Sequence, residues 1–527
     1  MQKMLEYMPW YNFRMIYLDR NLYLIRAIRW RIKVMNNHTK EITRSILMWF
    51  IIFGFCMIFF NRFHSLVILD TDDWNYLNFF RGLFPNISEF NPIKVFPENF
   101  FPAVSKISYR VFYKITGSFI TSLACGYNIV ISCFIAMYVW LVYKVFSRKY
   151  RVGYSVLLAG LFFVLHFLIY RNGILPNQYG FYSITVNNYF NYTIPTLLNY
   201  IIVFGVIVNN RLVVLKKNNI VQNILFLILS YFAIFSNLFS NEVLPIWLAV
   251  DMFFDIIQKI RKKEITIGAV VKDNIIKSIV IIMWFISMYF ELHGARSGQL
   301  TSNQSFRESL KITIDTLKTS DINKWLLLGF LALTIICTIL CMVNKHVIFL
   351  LKINTVWIVI LVYCILLSAK VNTWYISRAD VQLEFMGMLL FSVVVSLGYL
   401  LNHFMARKGI ILLMICCLVS IVFVNTGGKT YRDSNIIALS HTNGDFDAYK
   451  VEKLDNYIID QIIDASENKQ SSIELRVPFF YTEDNWPIAN YGVNRIPIQL
   501  YEYGVIKNPV NASLYPDETL NYLWEYK

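Results

Sequence analysis

The chain has 527 residues, of which 56% are hydrophobic, 17% aromatic and only 16% charged, with a mean hydropathy of +0.48. A soluble protein would carry about a quarter charged residues and could not hide so many Phe, Tyr, Ile and Leu without large exposed apolar patches. A string of soluble domains is excluded, as are disordered, collagen-like and disulfide-stapled architectures; nor does the net charge of +15 mark a nucleic-acid binder, because the Lys and Arg punctuate apolar runs instead of gathering on a polar domain.

Residues 1–44 hold nine basic and three acidic residues and read as a cytoplasmic basic segment. Arg20, Arg26, Arg29 and Arg31 alternate there with Leu22, Leu24, Ile25, Ile28 and Trp30, a pattern that suits either an interfacial helix on the anionic inner leaflet or a plain positive-inside anchor. No small-residue cleavage site follows the first apolar run, which is therefore expected to stay as a permanent anchor. Each crossing needs about 20 mainly apolar residues. Runs at 45–62, 119–143, 152–170, 194–208, 220–239, 243–258, 275–292, 325–343, 354–369, 385–404 and 409–425 predict eleven spans.

Basic groups at Lys144/Arg148/Lys149/Arg151, Arg211/Lys216/Lys217, Lys259/Arg261/Lys262/Lys263, Lys345/Lys352 and Arg407/Lys408 all fall on the N-terminal side when eleven spans are threaded. The segment after 425 holds nine basic against fifteen acidic residues. The N-terminus is accordingly expected in the cytoplasm and the C-terminus outside. The predicted organisation is an all-α polytopic membrane protein with a core at 45–425, external loops at 63–118, 171–193, 293–324 and 370–384, and a small external α/β domain at 426–527. In that domain Phe446, Tyr449, Leu454, Tyr457, Ile458, Gln461, Ile462 and Ala465 have helical spacing, and residues 473–477 alternate like a strand before Pro478.

All eight cysteines (Cys56, Cys125, Cys133, Cys337, Cys341, Cys364, Cys416 and Cys417) lie in or beside apolar stretches, with no CxxC pair in a loop, and the seven histidines are scattered singly. Neither residue type offers a metal knuckle or an HExxH motif. The strongest local feature is Asp70-Thr71-Asp72-Asp73-Trp74, three carboxylates within four residues just outside the first span. Such crowding near a low-dielectric boundary raises at least one pKa unless a cation, metal or substrate hydroxyl relieves it. The cluster could serve as a general base, a metal ligand or a helix cap. The loop then runs through Pro85, Pro92, Pro97 and Pro102 into Lys106, Arg110 and Lys114, set among Phe101, Val104, Ile107, Tyr109, Val111, Phe112 and Tyr113, as in an amphipathic helix lying at the outer interface.

In these features the chain resembles the GT-C superfamily of integral-membrane glycosyltransferases, which carry an acidic motif in the first external loop with interfacial helices behind it. Asp72-Asp73-Trp74 looks like their acidic pair followed by an aromatic. Size, odd span count and external C-terminal domain look most like the bacterial Gtr-type glucosyltransferases that decorate O-antigen in lipopolysaccharide during serotype conversion. The resemblance implies a sugar donor carried on polyprenyl phosphate, an inverting displacement onto a hydroxyl of a surface polysaccharide, and a flippase and a donor synthase as working partners in the bacterial inner membrane. It makes Asp72 the general base, with Asp73 or Asp70 orienting the acceptor or holding a divalent cation; the metal question stays open.

A departing polyprenyl phosphate needs cations, and the external loops offer Arg296, between Gly294 and Gly298, Arg378 in Trp374-Tyr-Ile-Ser-Arg-Ala-Asp380, and Lys106 or Arg110. Glu242, in the tight turn between two spans, and Glu291, at the outer end of the seventh, are costly places for carboxylates and form a second rank; the plainer readings are a cap on the sixth helix and a pair with an external Arg. Asp251 and Asp255, four apart near the inner end of the sixth span, suit an ion-paired helix end beside Lys259, Arg261, Lys262 and Lys263, or a transporter's proton relay. The aromatics of 179–182 and 188–192 could stack on sugars or belong to an interfacial belt, and Trp486 in the tail could also stack on a sugar. A flippase for lipid-linked oligosaccharide would instead concentrate ionisable residues within the spans and show paired half-molecule repeats, and an O-antigen polymerase would rely on arginines in large external loops.

Overall fold

The computed structural model describes residues 42–81, 91–170, 179–215, 217–262, 267–293, 305–343, 348–404, 436–438, 445–482 and 484–523. The predicted N-terminal interfacial helix and the eleventh span at 409–425 lie outside these residues. The chain divides into two units, Met1–Ile51 and Ile52–Lys527; of the first, the described residues 42–51 are helical, and every site below belongs to the second.

Seven helices among the described residues are long and apolar enough to cross a membrane: α1 (Ile42–Arg62), Phe119–Ser147, Val186–Val208, Lys272–Leu292, Lys324–Met342, Ile348–Val371 and Ala379–Leu401. This is a multi-pass membrane protein. Val152–Leu168 and Ile220–Ile234 are apolar but shorter, and Val243–Arg261 carries charges at Asp251, Asp255, Lys259 and Arg261. In chain order, α2 (Thr71–Tyr76) and α3 (Val95–Thr116) follow α1. Then come α4 (Phe119–Ser147), α5 (Val152–Leu168), α6 (Val186–Val208), α7 (Ile220–Ile234), α8 (Val243–Arg261), α9 (Ile267–Leu292), α10 (Phe306–Thr319), α11 (Lys324–Val343), α12 (Ile348–Val371) and α13 (Ala379–Phe404).

Helices α6 and α13 are mostly buried, whereas α9 and α11 are largely exposed along their apolar windows. The former make the centre of the bundle and the latter present Ile282, Phe285, Leu328, Ile335 and Ile339 outward, the surface a lipid tail would cover. The fourth span was expected at 194–208, but α6 begins at Val186. The Thr185 side chain accepts from Asn188 N and starts the helix early, and a π-helical turn at Tyr189–Thr193 takes up the mismatch before Pro195. Two turns assigned to an external loop are thus part of the spanning helix.

The amphipathic helix expected after the acidic cluster is present as α3. Its Phe101, Val104, Ser105 and Ser108 are buried, while Ile107, Val111 and Ile115 are exposed beside Arg110 and Lys114. Close approach to α4 depends on Gly126, where a Cβ would fall 1.6 Å from Ser108 Oγ. Gly117, left-handed at φ 69°, closes α3 by donating its N–H to Tyr113 O. The loop expected at 293–324 contains α10, started by a reciprocal capping box between Ser305 and Glu308.

Among the described residues, Asp251 and Asp255 do not pair with the basic run that follows them in sequence. Lys277 Nζ on α9 reaches Asp251 at 2.7 Å and Asp255 at 3.1 Å, and Lys352 Nζ on α12 reaches the same two at 2.6 and 3.1 Å. One helical face with two acids therefore pins three helices together, and Lys352, expected among the loop cations, is a structural partner. Lys277→Met strips a buried ammonium from both carboxylates and is expected to cost on the order of 2 kcal/mol. The midpoint of thermal unfolding in detergent reads this, and an unchanged midpoint contradicts the pinning role.

The tail is a small α/β unit. Strands β1 (Ile436–Ala438) and β2 (Asp445–Asp447) form an antiparallel ribbon. Helix α14 (Ala448–Glu467) is followed by β3 (Ser472–Pro478), α15 (Arg495–Glu502) and β4 (Asn511–Asp517), with β3 and β4 parallel in the register Ser472↔Asn511 to Pro478↔Asp517. The expected helix starts two residues later than Phe446, which lies in β2. Gln461 fixes α14 on β3, donating to Arg476 O and accepting from Arg476 N, both at 3.0 Å.

Candidate active site

The acidic turn is built by mutual hydrogen bonding that divides its three carboxylates into two kinds. Asp70 has extended backbone and caps α2, its Oδ1 accepting from Asp73 N at 2.9 Å. Asp73 is fully buried, with Oδ2 accepting from Leu69 N at 2.8 Å and Oδ1 from Asn187 N at 2.6 Å. Both oxygens of Asp73 are thus committed to backbone amides, and Asp70 takes the capping role that the sequence left as one alternative. Asp72, between them, is exposed, and no hydrogen bond ties its carboxylate among the described residues. Asp72 is free to meet a ligand. Trp74 anchors the turn from below, wholly buried and stacked on Phe119 at 6.2 Å and 10°.

The tail closes over this turn. Thr71 donates its hydroxyl to Pro487 O and accepts from Ala489 N, both at 3.0 Å, and its N–H also reaches Pro487 O at 3.1 Å. Gly492 packs so tightly there that a Cβ would sit 1.7 Å from Thr71 Cγ2. Tyr503 donates to Leu77 O at 2.8 Å and meets Phe119 edge-on at 5.2 Å. On α14, Glu452 accepts from Thr121 Oγ1 at 2.6 Å at the start of α4.

Asp455, also on α14, is 1% exposed, and among the described residues neither carboxylate oxygen has a hydrogen-bond partner. Burial, then the charges of Asp73 and Glu452, push its carboxyl up. Burial likewise lifts Asp73 to about 7 against opposing backbone hydrogen bonds from Leu69, Asn187 and Asp70, and lifts Asp70. Carboxyls held above their unfolded values keep protons that the unfolded chain releases, so the contribution of these three groups is fully present below about pH 4 and is lost as pH rises toward 7. Thermal midpoints measured from pH 4 to 8 are expected to decline over that window, with a shallower decline in Asp455→Asn. A flat profile in the wild type contradicts this assignment.

Arg378 is held in a fork on Asp380, Nε to Oδ1 at 3.0 Å and Nη2 to Oδ2 at 2.7 Å, with Ser183 Oγ donating to the same carboxylate at 3.1 Å. Its guanidinium lies 4.4 Å from the Tyr192 ring centroid, 5.2 Å from Tyr375 and 5.9 Å from Trp374, so the fixed cation is framed by aromatic faces. One segment links this cation to the acidic turn: Asn187 bonds Asp73, and five residues on, about 7 Å along a helix, Tyr192 stacks on Arg378. Of the other predicted cations, Lys106 sits 4.8 Å over the Phe80 ring, Arg110 is exposed on α3, and Arg296 lies outside the described residues.

Glu242 is not a side-chain cap and does not join the acidic turn. It is fully buried, accepting from Cys364 Sγ at 3.2 Å. Glu384 on α13 is equally buried and accepts from the Thr196 hydroxyl; Oε2 of both glutamates lacks a partner among the described residues. Glu291 is half-buried at the end of α9, with no ion pair among the described residues, so the expected pair with an external Arg is not seen. No three of His, Cys, Asp and Glu converge as a metal cage among the described residues. Asp455, Asp380 and Glu384 escaped the sequence reading. Glu384 fell at the end of the loop expected at 370–384 and enters the spanning helix only because α13 begins at Ala379; Asp455 looked like any polar residue on an amphipathic helix.

No protein-family model and no curated protein matches this chain.

Proposed function

We propose that this protein is a membrane glycosyltransferase that moves a hexose, glucose being the first candidate, from a polyprenyl-phosphate donor to a hydroxyl of a surface polysaccharide such as O-antigen, on the periplasmic face of a bacterial inner membrane. The observation that carries the reading is the division within the acidic turn: Asp70 and Asp73 are consumed in building it, and the carboxylate of Asp72 alone is presented to solvent. A general base has to be reachable and rigidly held. In the single displacement, Asp72 takes the acceptor hydroxyl's proton as that oxygen bonds to the anomeric carbon. The bond from that carbon to the phosphate oxygen breaks with inversion, and polyprenyl phosphate leaves with the electron pair. Arg378, oriented by Asp380, supplies the positive charge for the leaving phosphate.

Topology supports the same reading. The turn after α1 bonds directly to the tail, so an even number of crossings lies between them, and the ten expected after the first span meet that requirement. With the basic loops on the opposite side, the N-terminus is cytoplasmic and the turn, Arg378 and the tail are external. Expression in a strain that makes an unmodified polysaccharide tests the reading. Carbohydrate analysis is expected to find one added hexose branch per repeat; an unchanged polysaccharide from cells with confirmed protein in the membrane contradicts it.

A further inference from the structure

We propose that Tyr491 is the stacking wall of an acceptor subsite, holding a pyranose ring of the glycan so that its hydroxyl meets Asp72. The proposal rests on the glycosyltransferase reading and adds a residue from the tail to it. The loop that carries Tyr491 is stiff. Asn485 ties it internally, donating to Pro478 O at 3.2 Å and Ile488 O at 3.3 Å and accepting from Phe480 N at 2.9 Å. Thr71 then clamps it to the acidic turn through Pro487 and Ala489.

The neighbours Ile488, Ala489 and Val493 are buried, yet the Tyr491 side chain is 63% exposed. An exposed ring on a loop whose neighbours are buried and clamped is held in a fixed place, as a stacking wall requires. Its position is fixed by Gly492, the next residue, which lies against Thr71, and Thr71 separates Asp70 from Asp72. Partial burial, and then the charges of Asp72, Asp70 and Asp484, push the phenol up to about 12. An apolar ring face beside carboxylates matches a sugar, whose C–H face packs on an aromatic and whose hydroxyls donate to carboxylates. The same acids repel a phosphate, which assigns this wall to the acceptor and leaves the donor to Arg378.

The test uses the full-length protein in nanodiscs, with delipidated O-polysaccharide as acceptor and a labelled polyprenyl-phosphate hexose as donor. Tyr491→Ala is expected to raise the acceptor KM about tenfold while the donor KM stays put, and Tyr491→Phe, which keeps the ring, to restore most of the affinity. An unchanged acceptor KM in Tyr491→Ala, or a rise in the donor KM instead, overturns the subsite even though transfer itself is seen. Saturation-transfer NMR of the polysaccharide on Asp72→Asn protein, with and without Tyr491→Ala, needs no turnover. Loss of the signal with Tyr491→Ala upholds the subsite even if wild-type protein transfers nothing, in which case the enzyme reading alone fails; an equal signal, or none in either, overturns the subsite.

Discussion

Asp72→Asn is expected to lower the rate of hexose transfer by about 10²- to 10⁴-fold, the range general-base removal gives, with little change in thermal midpoint. The two halves of that expectation come from the same geometry. Asp72 is exposed and engages no partner among the described residues, so the fold loses less than about 0.5 kcal/mol when its charge is removed. Asp73→Asn is expected to behave differently. Its carboxylate accepts from Leu69 N and Asn187 N, and an amide can accept only through its oxygen, leaving an NH2 facing one of those donors. This variant should unfold earlier as well as act more slowly, and the comparison of rate with midpoint separates the base from the scaffold. Full transfer by Asp72→Asn would mean that Asp72 is not the base.

The second large effect falls on Arg378. Its fork on Asp380 is buried, with side-chain exposures of 10% and 3%, so Arg378→Ala leaves a carboxylate without its cation and is expected to cost about 3–5 kcal/mol. Loss of activity in that variant alone would therefore say little about chemistry. Arg378→Leu combined with Asp380→Leu removes both charges, and such replacements of buried pairs are near neutral for stability. The double variant is expected to fold, with a thermal midpoint near that of the wild type, and to show a raised donor KM with acceptor KM unchanged. If it folds and transfers normally, Arg378 serves the fold and the leaving phosphate is met elsewhere.

Much of the scaffold was legible in the sequence because apolar run length and basic loops are one-dimensional signals. α1, α4, α9, α11 and α13 fall on predicted runs, α3 appears where Lys106, Arg110 and Lys114 alternate with aromatics, and the helix and strand of the tail lie close to their predicted places. What could not be read was pairing between distant segments. Nothing near Asp251 in sequence announces Lys277 or Lys352 as its partners, and nothing near Asp70 announces Thr71 bonding to residues more than 400 positions away. From the residues themselves the three carboxylates shared the same possible roles, and only the family resemblance singled out Asp72. Their division into cap, buried bracket and exposed acid depends on Asn187 and the Pro487–Ala489 loop arriving in space, so the structure refines the site where the sequence could only enumerate it.

The most direct test of the account is transfer by the purified wild-type protein in proteoliposomes, supplied with a polyprenyl-phosphate hexose labelled in the sugar and with polysaccharide acceptor on the same face. The account predicts that label passes from lipid to polysaccharide, only when acceptor is present, with inversion at the anomeric carbon. Label that stays on the lipid while moving between leaflets would contradict it and identify a carrier instead.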